Sequence, residues 1–142
     1  MGEEVQLDRI VADKSSEYAE MTESMGISVH LDIHPTVILF HQQLAEIIIG
    51  NLFNNAIRYN KRGGHIDIAL EHNLLTIANT SANDQLDYSK LYKRFYRPHS
   101  TDEGNGLGLS IVKQICDMAG FTIVYKYAEG LHSFQVAFDN SF

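Results

Sequence analysis

The sequence predicts an α/β (α+β) two-layer sandwich, a mixed and mainly antiparallel sheet covered by helices on one face. Two strand–turn–strand patterns, over residues 66–78 and 121–138, supply the antiparallel part of that sheet. Two amphipathic helical stretches alternate with them, residues 41–59 before the first and 107–119 between the two, and a helix followed by a strand precedes them all. Hairpins interleaved with helices pack as a sheet with helices laid over one side.

The elements follow in order. Leu7, Ile10, Val11, Tyr18, Met21 and Met25 recur at helical spacing, and Gly26 stands where a helix end calls for a left-handed residue, so residues 8–25 are expected to form one amphipathic helix. Ile27, Val29, Leu31 and Ile33 then alternate with Ser28, His30 and Asp32 until His34-Pro35 breaks the run, the pattern of a half-buried strand. A long helix over residues 41–59 ends near Asn60, and Lys61-Arg62-Gly63-Gly64 reads as a turn. Ile66, Ile68 and Leu70 alternate, and Glu71-His72-Asn73 turn the chain into a second apolar run at residues 74–78. Residues 79–87 read as a polar loop, 88–96 as a short amphipathic segment closed by Pro98, and 99–105 as another loop. Ser110, Lys113, Gln114 and Asp117 mark the wet face of the helix at 107–119, which Gly120 caps. Two alternating runs, Phe121-Ile123-Tyr125 and His132-Phe134-Val136-Phe138, close the chain as a hairpin through Ala128-Glu129-Gly130.

Composition limits the function classes. With 142 residues the chain suits a single compact core, and 44% hydrophobic residues with two prolines suit a globular one. No apolar run approaches the roughly 20 residues needed to span a bilayer, so direct membrane contact is not expected. A net charge of −7 argues against nucleic-acid binding, which depends on clustered Lys and Arg. Cys116, the single cysteine, falls on the apolar helix face with Val112, Ile115 and Ala119 and reads as a buried structural thiol. The seven histidines show no paired zinc-ligand spacing.

Chemistry concentrates on the long helix. At 100° per residue Asn51, Asn55, Arg58 and Tyr59 fall within one arc of about 100°, while Ile49, Phe53, Ala56 and Ile57 cover the opposite side. An asparagine carbonyl is a hard neutral oxygen suited to Mg²⁺, an arginine reaches phosphate, and a tyrosine offers a nucleoside an aromatic face and a hydroxyl. Taken alone, the stripe fits equally a half-exposed helix face with capping asparagines. Gly104-Asn105-Gly106-Leu107-Gly108-Leu109 opens the next helix; glycines permit close approach of a phosphate, and a helix N-terminus supplies free N–H groups. It is neither a Walker A loop nor the dinucleotide fingerprint, because no Gly-Lys-Ser/Thr follows and Leu109 occupies the third glycine position.

In their order these stretches resemble the sensor histidine kinases. Asn51-Leu52-Phe53-Asn54-Asn55-Ala56-Ile57-Arg58-Tyr59 looks like the N box, Lys93-Arg94-Phe95-Tyr96-Arg97 is similar to the F box, and residues 104–110 followed by Ile111-Val112 are similar to the G2 box. The resemblance covers residues 27–138 and implies the Bergerat ATP-binding fold shared by gyrase, MutL and histidine kinases. It implies that residues 27–142 are the catalytic ATP-binding domain and residues 1–26 a linker helix leaving separate dimerisation helices. By the same resemblance Asn55 holds Mg²⁺ beside Asn51, Arg58 contacts phosphate and Tyr59 lies against adenine. Arg97 reaches the terminal phosphate when a lid at 98–105 closes, and Gly104, Gly106, Leu107, Gly108 and Leu109 line the phosphate side. The implied partners are ATP/ADP, the histidine-bearing dimerisation domain of the same kinase and a response regulator. The implied location is the cytoplasm, for a monomeric domain of a kinase that is membrane-anchored in some family members.

One box departs from the family. Asn79-Thr80-Ser81-Ala82-Asn83 stands where the G1 box carries an aspartate for the adenine amino group and two alternating glycines. Asn79 still accepts a hydrogen bond, more weakly than a carboxylate does. Gyrase and MutL place a water-activating glutamate one turn before the magnesium asparagine; Asn51 stands there here, which directs the expectation to phosphoryl transfer rather than hydrolysis. None of the histidines sits in a phosphoacceptor motif. Two other readings share the fold: a non-catalytic signalling module with a degenerate nucleotide pocket, and an anti-sigma-type protein serine kinase.

Overall fold

The computed structural model describes residues 2–81 and 108–139. The expected segment at 88–96, the lid, the F box, Arg97, Gly104, Gly106 and Leu107 lie outside the described residues.

The main sheet has the order β2-β4-β5-β7-β6: β2 (Ser28–Ile33), β4 (His65–Glu71), β5 (Leu74–Thr80), β7 (Leu131–Ala137) and β6 (Thr122–Ala128). β2 and β4 run parallel, Val29 beside Ile66, and the other pairs are antiparallel. The parallel pair requires a crossover, and α3 (Gln42–Arg58) lies within that connection and packs on β5. α1 (Leu7–Glu17) packs against α3, and α4 (Gly108–Ala119) packs against α3 and β6, so the helices share one face. Inward positions of β4, β5 and β7 alternate with exposed ones: Ile66, Ile68 and Leu70, then Leu75 and Ile77, then Phe134 and Val136 are buried. Against them lie Ala45, Ile48, Ile49, Leu52, Phe53, Ala56 and Ile57 of α3 and Val112, Ile115 and Cys116 of α4. The predicted sandwich is therefore the observed one.

Both hairpins turn in two residues with positive φ, His72 and Asn73 at 55° and 63°, and Glu129 and Gly130 at 55° and 76°, the geometry that matches strand twist. Gly120 at φ 80° ends α4, with Phe121 N donating to Cys116 O at 2.8 Å. Cys116 is fully buried, and burial, helped by Asp117, pushes its thiol up to about 11, which removes nucleophilic character.

Two expectations are corrected and one feature is added. The single helix at 8–25 is two: α1 ends at Glu17, Tyr18 leaves helical geometry, and α2 covers Ala19–Ser24. The break carries the Tyr18 ring onto Phe53 of α3, stacked at 5.4 Å with 16° between planes, a long-range contact that local periodicity does not encode. α2 closes as expected at Gly26, φ 68°, with Ile27 N donating to Thr22 O at 2.8 Å. A second small sheet also forms, β1 (Glu3–Gln6) antiparallel to β3 (Val37–Phe40), and neither strand was announced by the sequence pattern. Four-residue strands alternate too briefly to stand out. Finally, Asn79 and Thr80 belong to β5 rather than to a loop, paired with β7 opposite His132 and Leu131.

Candidate functional site

α3 presents the predicted stripe. The apolar residues opposite it, Ile49, Phe53, Ala56 and Ile57, are buried, Asn51, Asn55 and Tyr59 are half-buried, and Arg58 is exposed. Tyr59 leaves the helix with its N–H still donating to Asn55 O at 3.1 Å. Arg58 lies back along the helix, Nε donating to Asn54 Oδ1 at 2.7 Å. Among the described residues neither the half-buried Asn51 nor the half-buried Asn55 side chain has a hydrogen-bond partner.

The first residue of α4 meets this stripe. A β-carbon on Gly108 would stand 3.4 Å from Asn51 Oδ1 and 3.7 Å from its Cγ, ordinary van der Waals contact, so the start of α4 lies against the amide stripe. Leu109, next in α4, is half-buried and packs against the core. Gly108 is thus brought to the α3 stripe and Leu109 to the core, while Arg97, Gly104, Gly106 and Leu107 lie outside the described residues.

β5 carries Asn79, which is 1% exposed. Its Nδ2 donates to Thr80 O at 2.7 Å, and its carbonyl oxygen has no partner among the described residues. A buried acceptor left unpaired costs free energy that a ligand amino group would recover. Thr80 is held on the other face of the sheet: Thr80 Oγ1 donates to Asn60 Oδ1 at 2.5 Å and accepts from His65 N at 3.0 Å. Asn60, just beyond α3, also donates through Nδ2 to His65 O at 3.1 Å and accepts from Lys61 N at 2.8 Å. A β-carbon on Gly64 would overlap both Thr80 Oγ1 and Asn60 Oδ1.

Sequence reasoning about the site missed His132. It pairs with Asn79 across β5 and β7, is 2% exposed, and burial lowers its pKa below the ordinary 6.5. Its Nδ1 meets the Tyr125 hydroxyl at 2.5 Å and its Nε2 meets Ser81 Oγ at 2.7 Å. The signal was visible as a histidine in the inward register of an otherwise apolar run with Phe134 and Val136.

A sheet covered on one face by helices, with an amide stripe on one helix and a glycine-led helix start against it, defines a domain of the ATP-binding sandwich class. The family described as Histidine kinase-, DNA gyrase B-, and HSP90-like ATPase matches residues 41–140, and the chain belongs to that family. The heme sensor protein HssS of Staphylococcus aureus strain JH9 is 30% identical over 145 residues, covering 98% of this chain and 32% of that protein. The chain thus spans about a third of the length of the curated relatives it matches. The mycobacterial sensor histidine kinase MprB superposes with a TM-score of 0.79 at 17% identity, covering 96% of this chain and 95% of that one. The cytoplasmic segment of histidine kinase QseC gives 0.74 at 20% identity, covering 96% and 76%. The fold is that of histidine kinase catalytic domains. No described helix is long and apolar enough to cross a membrane.

Proposed function

We propose that this chain binds ATP with Mg²⁺ where α3 meets the start of α4, and donates the γ-phosphoryl group to a histidine on a separate dimerisation domain of the same protein. The phosphoryl group then passes to a response regulator. What supports this most is the approach of Gly108, the first described residue of α4, to Asn51 of the amide stripe, which brings the start of a helix beside that side chain.

Asn55 holds the metal with Asn51 beside it, Arg58 turns from Asn54 to phosphate, and Tyr59 lies along the nucleoside. Asn79 accepts from the adenine amino group. Gly108 and Leu109 give the phosphate side, joined by Gly104, Gly106 and Leu107, and Arg97 reaches the terminal phosphate. Magnesium, when bound, neutralises phosphate charge; the chain's own groups position the nucleotide, which is most of what phosphoryl transfer asks of a protein. Residues 1–26 link this domain to the dimerisation helices, the domain alone is monomeric, and it works in the cytoplasm where ATP is found. A non-catalytic module is the second reading, favoured by the neutral Asn79 and by Ser81 in a glycine position.

Isothermal titration with ADP and a non-hydrolysable ATP analogue, with and without Mg²⁺, separates them. Magnesium-dependent binding is expected, reduced about tenfold or more in Asn55→Ala, and incubation with ATP and the helical domain is expected to label a histidine. Absence of binding under every condition sinks the first reading; binding without transfer leaves the module.

A further inference from the structure

We propose that His132 is a specificity-determining positioning residue, which holds Ser81 against the sheet so that Asn79 presents its carbonyl oxygen to a 6-amino purine. This rests on the nucleotide-site reading above and adds to it a residue that composition and motif did not supply.

The geometry surrounds one buried amide. Asn79 is covered to 1%, with its side-chain oxygen unpaired among the described residues. Directly after it the chain is gripped from both faces of the sheet. Thr80 is tied outward to Asn60 and His65. Ser81 is tied inward to His132, whose other ring nitrogen is tied to Tyr125 of β6. The His132 ring is also flanked by Tyr127, centroids 5.1 Å apart, and by Tyr125 at 5.7 Å. Burial keeps the imidazole neutral, so one nitrogen donates and the other accepts, and the chain of bonds from Tyr125 to Ser81 has a direction. The Asn79 amide is turned by its own Nδ2 bond to Thr80 O at 2.7 Å, and the grip of His132 on Ser81 fixes the peptide that carries that oxygen. An amide differs from a carboxylate in offering a donor as well as an acceptor, so its orientation decides whether it selects an amino group or a carbonyl. A carboxylate has no such ambiguity; an asparagine at this position needs an orienting neighbour.

The test compares ADP with inosine diphosphate, which carries a carbonyl in place of the amino group. The wild-type chain is expected to prefer ADP. His132→Ala and Ser81→Ala should reduce that preference about tenfold, the two effects should not add, and His132→Gln should recover part of it. If His132→Ala does not fold, Ser81→Ala and Tyr125→Phe carry the comparison. An equal loss of both nucleotides, or an unchanged preference in Ser81→Ala, overturns the proposal. Failure of the wild-type chain to bind either nucleotide would instead overturn the site itself.

Discussion

The amide at position 79 shows how much a single residue depends on its neighbours. Asparagine in place of aspartate was legible, and so was its consequence for acceptor strength; its burial in β5 and its place beside His132 were not, because strand pairing joins residues 53 positions apart. His132 also makes stability depend on pH. Its folded pKa lies below the ordinary 6.5, so the unfolded chain takes up a proton first as the solution is acidified. The stability it contributes is full above that ordinary value and is lost as pH falls through it toward the lower folded value. The stability of the wild-type chain to urea should therefore fall as pH drops below the ordinary value of 6.5, and His132→Gln should remove part of that slope. An identical slope in the variant would mean that other groups carry the acid sensitivity.

At the level of elements, α3 was the most legible because its 17 residues repeat one angular pattern. Its apolar side reads out the core and its polar side the site. The turn after it is less obvious. Lys61-Arg62-Gly63-Gly64 was readable as a turn, but the need for glycine at 64 comes from the hydrogen-bonded Asn60 and Thr80 packed against it. Gly64→Ala should cost about 1–3 kcal/mol by overpacking, seen as a lower urea midpoint, and should disturb the end of β5 that carries Asn79. A variant as stable as the wild type would show that the network relaxes without loss. The split of the first helix at Tyr18 belongs here too: apolar spacing continued through it, while the stacking on Phe53 decided its geometry.

For the whole molecule the first 17 residues matter most. Val5, Leu7, Ile10 and Val11 are buried in the same core as α3 and the sheet, and β1 covers β3. Burying four such side chains contributes on the order of 6–12 kcal/mol, comparable with the whole stability of a small domain. A chain starting at Ile27 should lose cooperative unfolding, monitored by circular dichroism in urea, even though it retains the N box and the five-stranded sheet. Cooperative unfolding at the wild-type midpoint would show the segment to be a dispensable linker.

The fold class, the long helix, both hairpins and the polar stripe followed from the sequence, because each rests on a short repeat or on turn residues whose chemistry is local. The family resemblance followed as well, since ordered motifs survive in linear order. The β1–β3 sheet, the break at Tyr18, the approach of Gly108 to Asn51 and the grip of His132 on Ser81 came from folding. Each joins residues far apart in the chain, and a contact between distant residues leaves no periodic trace in either one.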